Sequence, residues 1–127
     1  MKLRLEFNTE MPDENGNIFS ERAIENIVSN ARGVPLILEY DSQPLGFINS
    51  ARRYGNFVEI DANLDETKPE SEFFEKEHIV YSLRCSYQDM DFEQTEDVRK
   101  ITSARLGAII IEPGRKYPPV STIFTID

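Results

Sequence analysis

Residues 45–64 read LGFINSARRYGNFVEIDANL, and the pattern within them decides the fold. Two arms, Leu45 to Arg53 and Asn56 to Leu64, flank the pair Tyr54-Gly55, where the chain can reverse. In the second arm Phe57, Glu59, Asp61 and Asn63 alternate with Val58, Ile60, Ala62 and Leu64. A period of two places alternate side chains on opposite faces of a strand, one buried and one wet. The stretch predicts a β-hairpin.

Working toward the N-terminus, Val34 to Tyr40 (VPLILEY) is a short apolar run bounded by Gly33 and by Asp41-Ser42-Gln43-Pro44. It reads as a strand, and Pro35 belongs at its first residue or on an edge, because proline donates no ladder hydrogen bond. Before it, Ser20 stands where a helix N-cap belongs, and Glu21 suits the first turn. Ala23, Ile24, Ile27, Val28 and Ala31 recur at helical spacing and Gly33 offers a stop, so a helix is predicted over about 20–32. Pro12-Asp13-Glu14-Asn15-Gly16-Asn17 is dense in turn formers, with Gly16 free to take positive φ. Lys2 to Asn8 alternates again, with Leu3, Leu5 and Phe7 on one face. Toward the C-terminus, residues 65–77 (DETKPESEFFEKE) form a charged connection, and strands follow at His78 to Tyr87, about 100–112 and 119–126. The expectation is one α+β domain over residues 1–127. Its architecture is mainly antiparallel β, a curled sheet or open barrel of about seven strands with one principal helix.

Composition excludes several functions. The 127 residues include one Cys, one His and no Trp. One cysteine forms no internal disulfide, and one Cys with one His cannot complete a four-ligand Cys/His zinc site. No cofactor is expected. No run approaches the roughly 18 apolar residues of a membrane helix. The start, MKLRLEFNTEMPDENG, lacks an apolar signal core, which predicts a soluble protein of a reducing compartment with no membrane partner. The net charge of −9 is concentrated: residues 61–97 carry twelve acidic side chains against Lys68, Lys76 and Arg84, while the remainder balances. No basic stripe exists to displace counterions from phosphates, so nucleic acid is not an expected partner. The acidic stretch reads as a solvated face or as a docking surface for a basic partner.

Candidate chemistry gathers at His78, Ser82, Cys85 and Ser86. In one regular strand, four residues at ~3.3 Å each hold His78 about 13 Å from Ser82, whereas base and nucleophile must approach to about 3 Å. His78 therefore cannot activate Ser82 there. Asp89-Met90-Asp91-Phe92-Glu93 superficially resembles a calcium loop, but Gln94 and Lys100 stand where that loop needs Gly and Glu. No phosphate-binding loop, dinucleotide fingerprint or nucleophile elbow is present.

Four segments, in order, resemble the head-maturation (prohead) proteases of tailed bacteriophages, which share a core fold with herpesvirus assembly proteases. Asp13-Glu14-Asn15-Gly16-Asn17-Ile18-Phe19 and the helix from Ser20 stand where that family has an "NxNGRxY" element and a helix. Val34 to Asp41, then Pro44-Leu45-Gly46-Phe47, resemble its strand ending in "EHD" and the hydrophobic-Gly pair that follows. Val80-Tyr81-Ser82-Leu83-Arg84-Cys85 is similar to its nucleophile strand, and Leu106 to Gly114 to its closing segment. The similarity spans about residues 3–114.

The resemblance implies a fold of that kind, with Ser82 at the nucleophile's position and Tyr40 where the family has its catalytic His. In a relative, positions 40 and 82 belong on neighbouring strands with their side chains close. A phenol, whose ordinary pKa is about 10, is a poor acceptor of a serine proton at neutral pH. Arg84 replaces a small residue beside the nucleophile. The resemblance then implies a protein that keeps the fold without the chemistry: a phage capsid-assembly or virion structural protein that binds capsid or scaffold protein. Its place would be the host cytoplasm during assembly, or the virion. The alternatives are an active phage serine protease using Ser82 and an unrelated small β-rich binding module. The run 119–126 (PVSTIFTI) reads first as a strand completing the chain's own sheet, and alternatively as an edge that pairs with a second copy to form a homo-oligomer.

Overall fold

The alternation of residues 45–64 closes into the hairpin it predicts. In the computed structural model, which describes residues 2–13, 15–38, 43–65, 67 and 82–112, β4 (Pro44–Tyr54) and β5 (Phe57–Leu64) pair antiparallel. The turn is Gly55-Asn56, one residue later than Tyr54-Gly55 suggests. Gly55 takes φ +62 as the first loop residue, and the rings of Tyr54 and Phe57 stack across the last pair at 5.6 Å. On β5 lies β1 (Lys2–Glu6), with Leu3 opposite Ile60 and Leu5 opposite Val58. All four are buried.

On the other side of β4 runs β3 (Pro35–Leu38), an internal strand whose Pro35 stands outside the pairing to the next strand. That next strand is β7 (Val98–Glu112), the centre of the sheet. One edge of β7 is taken along its length by the antiparallel β6 (Ser82–Thr95). The other edge carries two short strands end to end, both parallel to it. β2 (Asn17–Phe19) meets residues 99–101, and β3 meets 109–111. Between them the chain leaves the edge as α1 (Glu21–Ser29) and returns. The sheet is mixed, ordered β1-β5-β4-β3-β7-β2 with β6 beside β7. It curls until the Phe19 N–H donates to the Asn8 carbonyl at 2.8 Å, joining the two ends of that order.

α1 begins as expected. Ser20 accepts from the Ala23 N–H at 3.1 Å, and its own N–H donates to Ile101 of β7. Ala23, Ile24 and Ile27 are buried against the sheet. The helix stops at Ser29 rather than near 32: Asn30 donates from both its backbone and side chain to the Asn26 carbonyl, and Ala31 bonds only three residues back. Across the interface Arg53 of β4 ion-pairs with Glu21 and Glu25, one helical turn apart.

The predicted class holds: the described residues form one helix and seven strands in a curled sheet. The membership of the seven differs from the expected set. β2 is additional, because three residues carry no readable period and this strand exists through its pairing with β7. The run 119–126 and the strand start at His78 lie outside the described residues. β6 runs on to Thr95, so the Asp89–Glu93 segment is strand and not loop.

Candidate functional site

Four of the segments singled out by sequence converge on β7. The segment from Asp13 leads into β2, Pro35–Leu38 forms β3, Ser82 opens β6, and Leu106–Glu112 is part of β7 itself. The loop is built by Asp13, whose carboxylate accepts from the backbone of Asn15 and Asn17, each at 2.9 Å. Gly16 takes φ +78, and a Cβ there would stand 2.9 Å from the Asp97 carbonyl oxygen. Arg99 completes the clamp: its N–H donates to Gly16 and its Nε to Asn17 Oδ1 at 2.7 Å.

Ser82 is in register with Glu112 at the end of β7, and Leu83 with Ile111. Leu38, the last described residue of β3, is also in register with Ile111, from the opposite edge. β3 and β6 are therefore separated by β7 and are next-nearest strands, not neighbours. Tyr40 and His78 lie outside the described residues. Arg84 is exposed, in register with Ile110.

On the core side of β6, Cys85 and Tyr87 pack against the apolar cluster. Burial pushes the Cys85 thiol up to about 12, an effect only partly offset by the neighbouring Tyr87 hydroxyl. A thiol held so fully protonated is no nucleophile at neutral pH. Tyr87 is raised well above its ordinary 10.0, by burial first and then by Cys85 and Asp13. Its hydroxyl is buried and has no hydrogen-bond partner of sound geometry among the described residues. Tyr87 extends an aromatic row through Phe19, 6.2 Å away, to Phe7, itself 4.9 Å from Phe19. These contacts attach the Asp13–Phe19 loop to β6. They are structural.

Two open clefts of about 450 Å³ flank the β1–β2 junction, one beside Ser20, Arg22 and Lys100, the other beside Asn8, Met11 and Asn56. Among the described residues no three His, Cys, Asp or Glu side chains converge as metal ligands. Asp89, Asp91 and Glu93 recur every second residue, about 6.6 Å apart along an extended strand, and so cannot close on one ion. Met90 and Phe92 alternate with them. Met90 packs against the core, whereas Phe92 is 49% exposed under the Arg99 guanidinium, 5.2 Å from its ring. The period-two alternation of this segment is legible in the sequence, where the same acids also resemble a poor calcium loop.

No protein-family profile, curated protein sequence or solved structure matches the chain.

Proposed function

We propose that the chain is a capsid-assembly or virion structural protein of a tailed bacteriophage, built on a prohead-protease-like domain and acting by binding capsid or scaffold protein. The observation that carries this reading is the convergence of the resembling segments on one strand: loop 13–19, β3 and β6 all bond to β7, which bears the fourth. The presence of Tyr40 in place of a base and of exposed Arg84 two residues from Ser82 supports binding over proteolysis. Stoichiometric labelling of Ser82 by a fluorophosphonate would defeat the non-proteolytic reading. So would cleavage of a capsid or scaffold protein by the wild type and not by Ser82→Ala. The expected result is no adduct and no cleavage, with the chain sedimenting together with assembled capsid or scaffold protein.

A second reading has its own support. β7 lies between β3 and β6, whereas a prohead-protease relative calls for positions 40 and 82 on neighbouring strands. This favours a small β-rich binding module unrelated to phage proteases. Both readings make the chain a binding domain.

A further inference from the structure

β6 bonds to β7 along one edge, and among the described residues nothing pairs with its other edge. A strand in that position directs about half of its backbone N–H and C=O groups away from the sheet, a template for one more strand. The side chains beside this edge follow a strict order. Asp89, Asp91 and Glu93 share one face, and Met90 and Phe92 share the other. Opposite the acids on the β7 side stand Arg105, Ser103 and Lys100. The cations lie one strand inward, and the edge left unpaired among the described residues presents three carboxylates at the two-residue repeat of a β-strand. Phe92, half exposed, is the apolar contact on the reverse face.

We propose that this edge receives an extended segment of a partner protein bearing Lys or Arg at alternate positions and apolar residues between them. Added beside β6, such a segment sets its cations opposite Asp89, Asp91 and Glu93 and its apolar side chains against Met90 and Phe92, while main-chain hydrogen bonds supply the pairing. The same charges oppose a second copy: two β6 edges related by a two-fold axis place carboxylate beside carboxylate. The edge is therefore selective, open to a basic strand and closed to itself. The inference rests on reading the chain as a binding domain and names the chemistry of what is bound; it does not need the phage assignment.

The test uses the full chain and an acetylated seven-residue peptide alternating Lys and Val, followed by amide hydrogen exchange and backbone chemical shifts. The expected result is slowed exchange at alternate β6 amides between Gln88 and Gln94, with affinity falling as salt rises. Neutralising the edge with Asp89→Asn, Asp91→Asn and Glu93→Gln together weakens binding about tenfold or more. These side chains are exposed, so the variant keeps its fold, and an unchanged far-ultraviolet spectrum checks this. A matching Glu-Val peptide does not bind, and neither does the Lys-Val peptide N-methylated at alternate residues. Equal binding of the methylated peptide, protection outside β6, or an unaffected triple variant overturns the proposal. Protection of the outward β6 amides in the free chain also overturns it, assigning the edge to the chain's own residues, or to a second copy if protection grows with concentration. None of these outcomes touches the Ser82 tests, so the two readings fail separately.

Discussion

The β1–β5 side of the sheet and the far end of the β6–β7 ribbon obey the same two-residue alternation, yet they end in opposite states. In β1 and β5 the apolar set is closed: Leu3, Leu5, Val58 and Ile60 have no exposed surface and lie in the common core inside the curl of the sheet. In β6 the alternate residue Phe92 remains half exposed, with the Arg99 guanidinium over its ring. Alternation identifies a strand and its two faces. Whether the apolar face is then covered depends on what lies above it, which distinguishes a core from an interaction surface.

The contrast can be broken most severely at Gly46. A Cβ there would collide with the Asn63 carbonyl oxygen and lie 2.9 Å from Leu64 Cα, backbone atoms of β5 that cannot yield without parting the sheet. Gly46→Ala is expected to cost about 3 kcal/mol or more, or to leave no folded chain, as read by urea denaturation. Ile60→Ala opens a cavity in the closed half and should cost about 3 kcal/mol in the same assay. Ser20→Ala, which removes the acceptor for the Ala23 N–H, should cost about 1 kcal/mol.

The core side of β6 gives a pH test. The folded chain holds Cys85 protonated up to about 12, while the unfolded thiol ionises near its ordinary 9.0. The folded state thus binds the extra proton between those values. Its contribution to stability is whole below pH 9 and is lost as pH rises toward 12. Tyr87 acts in the same direction from 10.0 upward. Urea midpoints measured from about pH 8 to about pH 11 should fall, with Cys85→Ala flattening the earlier part of the decline. The smallest effect is expected at the open end: Phe92→Ser should change stability by about 0.5 kcal/mol or less. A loss there comparable to that of Ile60→Ala would erase the distinction between the two regions.

Much of the candidate site was legible in one dimension and some was not. Ser20 as a cap, Gly16 in a turn and Gly46 beside a strand start all stand in the sequence as residue types suited to their positions. The reason Gly46 tolerates no side chain is the backbone of Asn63, and that contact appears only once β4 and β5 are paired. Asp89, Asp91 and Glu93 look like scattered ligands when read as a loop. As alternate residues of an edge strand they form a row.

What the sequence by itself determined is local. The helix face Ala23-Ile24-Ile27, its Ser20 cap, the hairpin at Gly55 and the two-faced strands follow from periodicity and from residues with restricted or permissive φ, properties that neighbours in the chain carry. What only the tertiary structure decided is which strands share an edge. β2 owes its existence to residues 99–101, and Arg99 is tied to Asn17 across 82 positions of sequence. The placement of β6 beside β7, with its acid row on the outer edge, is likewise a matter of pairing. A strand's own sequence records its two faces; its partners depend on the competition among all edges for hydrogen bonds and for cover over their apolar sides.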